Sequence, residues 1–148
     1  MIKAIEIFKS YDSLRVLNGI NLEVKRGEVV AIVGASGAGK STLLHILGTL
    51  DKPDGGQLLI NNNPIPTTSN SLATFRNKAI GFVFQFHNLL PEFTALENVM
   101  IPGLIAGKSN GELRETARDM LSMLGVSQRE GHKPSELSGG EQQRIAVG

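Results

Sequence analysis

Nine consecutive residues carry the clearest chemistry in the sequence: Gly34 to Thr42 read Gly-Ala-Ser-Gly-Ala-Gly-Lys-Ser-Thr. The pattern Gly-x-x-x-x-Gly-Lys-[Ser/Thr] is typical of a loop whose backbone N–H groups surround the phosphates of a nucleotide. In such a loop the Lys40 ammonium reaches the β- and γ-phosphates, and the Ser41 hydroxyl is a ligand of Mg²⁺. The alternative, a glycine-rich turn that only joins two elements, has no need of the Lys-Ser pair. The motif therefore predicts a nucleotide site with Mg²⁺.

The flanking residues give this loop, called the P-loop below, the context that it requires. Residues 28–33 form a near-continuous apolar run of strand length, which is typical of a parallel strand buried on both faces. Residues 41–47 have apolar side chains at helical spacing. Glycines permit the tight turns of the loop, and free N–H groups at the start of the helix favour an anion. The predicted phosphate-binding residues are Gly34, Ala35, Ser36, Gly37, Ala38, Gly39, Lys40, Ser41 and Thr42.

Length and composition limit the classes of function. The chain has 148 residues and a net charge of +1, so its charge does not indicate a nucleic-acid or anionic-membrane partner. Without cysteine it has neither a disulfide framework nor a cysteine metal site. No stretch approaches the roughly 18 apolar residues of a membrane span, and the N-terminus has no apolar signal core. We expect a soluble, cytoplasmic protein that reaches a membrane only through a partner.

Alternation and turn residues predict the remaining elements. Further strands are expected at 2–8, 20–24, 57–60 and 79–84. The turn sequence from Pro53 to Gly56 should end the first helix near Leu50, and a turn at 61–64 should precede a short helix at 71–77.

The second half of the chain is predicted to be mostly helical. Thr94 with Glu97 and Ser109 with Glu112 have the spacing of capping boxes, in which a hydroxyl and a glutamate satisfy the first N–H groups of a helix. We expect the first of these helices near 95–101, interrupted by Pro102. The second should carry an apolar stripe and end at the C-cap glycine, Gly125.

A second motif, Leu-Ser-Gly-Gly-Glu-Gln-Gln-Arg, occupies residues 137–144. Ser138 and Glu141 again have capping-box spacing, and Gly139 with Gly140 leaves backbone N–H groups uncovered. By itself this segment could be a capped helix after a glycine turn. Together with the P-loop it resembles the signature motif of ABC-type ATPases, and the match is complete.

The resemblance implies roles for further residues. Tyr11 lies where this family places an aromatic side chain that stacks on adenine, with Val16 beside it; from sequence alone Tyr11 could equally be an ordinary edge-strand aromatic. Gln85 follows the strand predicted at 79–84, where the family's glutamine loop reaches Mg²⁺ and the attacking water. The implied catalytic residues are Lys40 and Gln85, and the implied Mg²⁺ ligands are Ser41 and Gln85.

The family also implies an architecture and partners. The fold should be α/β, a P-loop NTPase of ABC ATPase type, with a mixed sheet around the P-loop helix and a helical subdomain. Residues 1–85 would form the ATP-binding core with an N-terminal β-subdomain, 86–136 the helical subdomain that faces a transmembrane permease, and 137–148 the signature. Two ATPase subunits would form a homodimer. The residues that would close over the ATP of the other subunit are Ser138, Gly139 and Gly140.

The stretch from Gln85 to Val99 resembles the ATPases of bacterial lipoprotein-releasing (Lol-type) exporters, and macrolide-export and cell-division ATPases are similar there. This implies an enzyme that uses ATP and Mg²⁺ and lies on the cytoplasmic face of the inner membrane through its permease.

The family's next strand, ending in Asp-Glu, and a later histidine are not found. The apolar runs 28–33 and 79–84 are followed by Gly34 and Gln85, not by acids. We therefore expect the C-terminal part of the sheet to be missing, and these residues to bind nucleotide without hydrolysing it. His45, His87 and His132 lack metal-like spacing and are not expected to be catalytic.

Two alternative functions remain open at this point. One is an ABC-type ATPase of DNA maintenance or translation, although such proteins usually carry long coiled coils or a second cassette. The other is a nucleotide-binding module without turnover.

Overall fold

The computed structural model describes all 148 residues. They divide into a first unit, Met1–Arg76, and a second unit, Asn77–Gly148. The first contains an antiparallel sheet with a helix packed on it, and the second is helical. These two units are compact bodies and not functional parts, so the functional boundaries predicted after residues 85 and 136 stay predictions.

Four strands form the sheet of the first unit, in the order β2-β1-β3-β4, and every neighbouring pair is antiparallel. They are β1 (Ile2–Tyr11), β2 (Leu14–Val24), β3 (Gly55–Ile60) and β4 (Asn63–Pro64). Asn61 and Asn62 join β3 to β4 with φ angles of 52° and 64°. Asparagine tolerates this left-handed backbone, which a two-residue hairpin needs, and the predicted turn is confirmed.

Helix α1 (Lys40–Leu47) packs its apolar side on this sheet. Leu43 lies one helical turn before Ile46 and Leu47, and all three side chains are buried. They share a core with four buried sheet residues: Ala4, Ile7, Leu17 and Leu58. The helix ends at Leu47, three residues before the predicted end, where Thr49 takes a left-handed φ of 61°. This packing fixes the start of α1, and with it the end of the P-loop.

The strands predicted at 28–33 and 79–84 are absent, because neither segment takes part in a ladder. Val29 is 97% and Val33 is 86% exposed. A parallel strand is stabilised by neighbours in its own sheet and by layers on both faces. The described residues contain no parallel strand to supply them, so the part of the prediction that placed these two runs in a mixed sheet is wrong for this structure.

The helices after α1 are α2 (Ser69–Ala79), α3 (Ala95–Ile105), α4 (Asn110–Met123) and α5 (Gly139–Ile145). Short 3₁₀ turns occupy Ser127–Arg129 and Pro134–Glu136. Helices α3, α4 and α5 enclose the core of the second unit, whose buried members are Ala95, Leu96, Val99, Met100, Leu113, Ala117, Leu121, Val126, Leu137 and Ile145. No helix is both long enough and apolar enough to cross a membrane.

Two of the predictions for helix ends in this unit need correction. Helix α3 continues through Pro102, whose carbonyl accepts hydrogen bonds from Ala106 N at 3.1 Å and from the Asn77 side-chain amide at 2.9 Å. Ser109 is the N-cap of α4 but makes no side-chain cap bond. Its would-be partner Glu112 is exposed.

Three other cap predictions are confirmed. Thr94 and Glu97 form the capping box of α3, in which Thr94 N donates to Glu97 Oε2 at 2.8 Å. These bonds from Thr94, first from its backbone and then from its side chain, hold the pKa of Glu97 below its usual value. Gly125 follows α4 with a φ of 69°, as expected for a C-cap glycine. Ser138 and Glu141 cap α5 and are described below.

Candidate functional site

The P-loop turns sharply into α1 through two glycines. Gly37 and Gly39 have φ angles of 79° and 84°, in the left-handed region that other residues rarely adopt. A Cβ at Gly39 would also lie 2.9 Å from Val16 Cγ1 and 3.0 Å from the Val16 carbonyl oxygen. Glycine at 39 therefore permits the turn and lets the loop approach β2 closely.

Lys40, the first residue of α1, folds back over the loop. Its ammonium donates to the carbonyl oxygen of Gly34 at 2.9 Å and to that of Ala35 at 2.6 Å. Within the loop, Ala38 N donates to the same Ala35 carbonyl at 3.3 Å. An ammonium has three donors, so one remains for a ligand in front of the loop.

One cavity of about 360 Å³ collects most of the predicted nucleotide-binding residues. It is lined by Tyr11, Val16, Ser36, Gly37, Gly39, Lys40, Ser41 and Thr42. Tyr11 ends β1 and Val16 lies near the start of β2, so the β1–β2 hairpin brings both to the P-loop. Of the other loop residues, Gly34 and Ala35 supply the acceptors for Lys40.

The donors in this cavity fit a nucleoside triphosphate with Mg²⁺. The wall has one ammonium and several hydroxyls, but no carboxylate, and the chain contains no group of three acidic or histidine side chains that could hold a metal. Mg²⁺ commonly takes only one or two protein ligands and completes its shell with phosphate oxygens and water. The Ser41 hydroxyl could be one such ligand.

Tyr11 contacts two charged residues that could not be assigned to the site from the sequence, Lys9 and Asp51. The Tyr11 hydroxyl donates to Asp51 Oδ2 at 2.6 Å, and Lys9 Nζ donates to Asp51 Oδ1 at 2.9 Å. One signal was available: Lys9 lies two residues after the buried Ile7, and residues two apart share a strand face. A lysine on a buried face indicates a partner, although the sequence does not identify which one.

The signature turn, residues 137–144, lies in the second unit. Ser138 Oγ accepts from Glu141 N at 3.3 Å, while Ser138 N donates to Glu141 Oε2 at 2.8 Å, so the predicted box is formed. Arg129 Nε donates to the other carboxylate oxygen at 2.7 Å. The bonds from Ser138, and then the one from Arg129, lower the pKa of Glu141 from 4.5 to about 2.

The two glycines of the signature turn have no such structural reason within their own unit. Neither has a positive φ. A Cβ at Gly139 would meet nothing within 4 Å, and one at Gly140 only the Arg144 side chain at 3.9 Å. Both are exposed, next to the exposed Ser138. The surface at the start of α5 is therefore open to the close approach of another molecule.

Gln85 also lies in the second unit and is exposed. The four residues that follow it in the chain help to line a second cavity, of about 310 Å³. The lining residues are Phe86, His87, Asn88, Leu89, Pro134 and Gln142. The buried Nδ1 atom of His87 makes no hydrogen bond there. Where Gln85 acts, and whether it meets Mg²⁺, remain predictions.

Comparison with known proteins identifies the family. A family profile described as ABC transporter matches residues 17–148. The chain is 59% identical, over 148 residues, to the lipoprotein-releasing system ATP-binding protein LolD of Bacteroides thetaiotaomicron, and 60% identical to that of Porphyromonas gingivalis. In both comparisons it covers 99% of its own length and 68% of the relative's.

Solved structures agree in fold. The ATP-binding cassette MJ0796, in a dimer bound to ADP and Pi, superposes with a TM-score of 0.91 at 41% identity, covering 99% of this chain and 67% of that one. CbiO1 of Clostridium perfringens, part of an ABC transporter complex, gives 0.85 at 31% identity over 99% and 59% of the two chains. The predicted α/β fold of ABC ATPase type is confirmed. The chain belongs to the ABC transporter family and is one of its ATP-binding ATPase subunits.

Proposed function

We propose that this ATPase subunit powers the release of lipoproteins from the bacterial inner membrane. The nucleotide-binding part of this proposal rests on one observation: a single cavity is lined by Lys40 and Ser41 together with Tyr11 and Val16. The cargo is supported by the identity of 59–60% to subunits described as lipoprotein-releasing.

In this proposal the P-loop N–H groups and Lys40 hold the phosphates of ATP, Ser41 and Gln85 are ligands of Mg²⁺, and Tyr11 with Val16 contacts adenine. Bound Mg²⁺ supplies a positive charge that compensates the phosphate oxygens. The residues of the first unit position the triphosphate and neutralise its charge, since the wall of the cavity carries the Lys40 ammonium and several hydroxyls.

We further propose that the protein works as a homodimer beneath transmembrane permease subunits, on the cytoplasmic face of the inner membrane. A dimer gives the open glycine surface of the signature turn a ligand, namely the ATP held by the other subunit. The dimeric arrangement of the MJ0796 cassette supports this proposal. No nucleic acid is needed as a partner.

The test of the nucleotide site is the titration of ATP, with Mg²⁺, into the protein and into Lys40→Ala by calorimetry. Losing a charged donor to the phosphates should weaken binding by about tenfold to a hundredfold. The matched control is Lys25→Ala, an exposed lysine in the same unit, which should bind ATP as the unchanged protein does. Undiminished binding by Lys40→Ala would refute the site.

The partner is tested by affinity capture with the full-length protein from detergent-solubilised membranes. We expect a transmembrane permease to be recovered. Recovery of DNA or ribosomes in its place would favour the DNA-maintenance or translation alternative and reverse the proposal.

A second proposal concerns residues 1–148 by themselves: they bind nucleotide without turnover. The wall of the cavity contains no carboxylate that could act as a general base on water. Release of inorganic phosphate by this purified chain should not exceed the background of Lys40→Ala, and release above that level would overturn the proposal.

A further inference from the structure

Lys9 is a charged residue on the buried face of β1, only 9% exposed. Its ammonium donates to Asp51 Oδ1 at 2.9 Å and to the Lys52 carbonyl oxygen at 2.7 Å, and it lies 3.7 Å from Asp54 Oδ1. A buried ammonium is tolerated when it is paired and hydrogen-bonded in this way. Lys9 is thereby fixed in one position relative to the segment that follows α1.

Asp51 uses its two oxygens for two different partners. Oδ1 accepts from Lys9, while Oδ2 accepts from the Tyr11 hydroxyl at 2.6 Å. Lys9 Nζ also lies over the Tyr11 ring, 5.2 Å from its centroid, in the range of a cation–π contact. The phenol is therefore held at its hydroxyl by Asp51 and at its ring by Lys9.

The ionisation behaviour of the three groups agrees with this geometry. The hydrogen bond to Asp51 raises the pKa of Tyr11, because the phenol donates to a carboxylate. The bond from Tyr11, together with that from Lys9, lowers the pKa of Asp51. The pKa of Lys9 is raised, chiefly by its bond to Asp51.

We propose that Asp51, itself held by Lys9, is a positioning residue that fixes the Tyr11 ring at the wall of the P-loop cavity and thereby sets the preference for a nucleotide over a bare triphosphate. The inference rests on the proposed nucleotide site and adds to it a pair of residues outside the P-loop. Tyr11 is 46% exposed at the end of β1, so without this bond its side chain would be free to change rotamer. A ring held in place offers a base a stacking surface at a smaller entropy cost.

The first experiment measures the bond without any nucleotide. Tyr11 is the only tyrosine among the 148 residues, and there is no tryptophan. The ultraviolet absorbance of tyrosinate, taken as the difference from Tyr11→Phe, gives the pKa of Tyr11 in any longer form of the protein as well. We expect Asp51→Asn to lower that pKa toward the ordinary value. Glu23→Gln is the control, because it breaks another lysine–carboxylate pair of the same sheet, with Lys3 at 3.6 Å. An unchanged pKa in Asp51→Asn would overturn the proposal.

The second experiment compares the affinities for ATP and for inorganic tripolyphosphate. Asp51→Asn and Tyr11→Phe should each weaken ATP binding by about threefold to tenfold, because a ring that is no longer held must be ordered when the base binds, and leave tripolyphosphate binding unchanged. The double variant should be no worse than the single ones, because both remove the same bond. A purely structural role of Asp51 would change both ligands or neither.

Tyr11→Phe keeps the ring and leaves the acceptors of Lys9 intact, so it supplies the answer if Asp51→Asn unfolds. Lys40→Ala separates this inference from the site on which it rests, since it should weaken both ligands. If Lys40→Ala does so while the ratio of ATP to tripolyphosphate affinity is unaltered in Tyr11→Phe and Asp51→Asn, only the positioning role fails. If the unchanged protein binds neither ligand, the nucleotide site and this inference both fail.

Discussion

The P-loop and the signature turn both place glycines beside the start of a helix, but for different physical reasons. Gly37 and Gly39 are needed by the backbone, with φ angles of 79° and 84°. Gly139 and Gly140 have ordinary backbone angles and open space where a side chain would be. The first pair is thus explained by the unit that contains it. The second pair requires a reason from outside its unit, and a ligand that approaches closely would supply one.

The caps of the two helices differ in the same sense. Helix α1 has no side-chain cap, and Lys40 is held by loop carbonyls that a phosphate can replace. Helix α5 is closed by Ser138, Glu141 and Arg129 in a connected set of bonds. The P-loop is therefore arranged to change its partners on binding, whereas the signature turn is rigid before anything binds.

The largest expected effect on stability comes from Gly39→Ala. The substitution forces a left-handed alanine and a close contact with Val16, so the free energy of unfolding should fall by about 2–4 kcal/mol. Urea unfolding measures it. Gly37→Ala has the same backbone strain but no atom within 4 Å, and it should cost only about 1–2 kcal/mol. Equal losses would show that contact with β2 contributes nothing.

The next effect concerns the cap of α5. Ser138→Ala removes both an acceptor for Glu141 N and a donor to its carboxylate, and should lower the free energy of unfolding by about 1 kcal/mol. Ser109→Ala is the matched control, since Ser109 is an N-cap without a side-chain cap bond. It should cost a few tenths of a kcal/mol. If the control costs as much as Ser138→Ala, the box in α5 is not what stabilises its end.

These capping boxes show how far the sequence alone leads. The spacing of a hydroxyl and a glutamate predicted three boxes, of which those at Thr94 and Ser138 form and the one at Ser109 does not. The box at Ser138 is joined by the ion pair of Glu141 with Arg129, twelve residues away on another element, whereas Glu97 closes the box at Thr94 with bonds to Thr94 alone. Local spacing predicts where a box can form, but it does not show which of the three boxes forms.

The same limit applies to the sheet and to the cavity. The apolar runs 28–33 and 79–84 show that these segments need burial, but not which strand would pair with them. The P-loop residues could be predicted from their own motif, and Tyr11 and Val16 from the family resemblance. Asp51 could not, because its bond to Lys9 joins residues 42 positions apart and neither residue belongs to a motif.

The pH dependence of stability tests the rigid cap further. The pKa of Glu141 is lowered from 4.5 to about 2 by Ser138 and Arg129. Its contribution to stability is therefore complete above pH 4.5 and is lost as the pH falls toward 2. Glu141→Gln should be less stable than the unchanged protein at neutral pH, with a gap that narrows through this range in thermal unfolding. A gap that is the same at neutral pH and at pH 2 would contradict the assignment of the pKa.

Gly139→Ala should have the smallest effect on stability, and it tests the difference between the glycines of the P-loop and those of the signature turn most directly. Gly139→Ala places a methyl group in open space at a helical position, so the free energy of unfolding should change by no more than about 0.5 kcal/mol. If the surface meets the ATP of a second subunit, the same methyl group must weaken ATP-driven dimerisation of the full-length protein, as measured by light scattering. Gly111→Ala, at another exposed helical glycine with nothing within 4 Å, should leave both quantities unchanged. A loss of stability above about 1 kcal/mol in Gly139→Ala would show that its glycine is structural after all, as in the P-loop. Unchanged stability together with unchanged dimerisation would leave the ATP of the other subunit without a contact at this position, and the role proposed for the signature turn would be wrong.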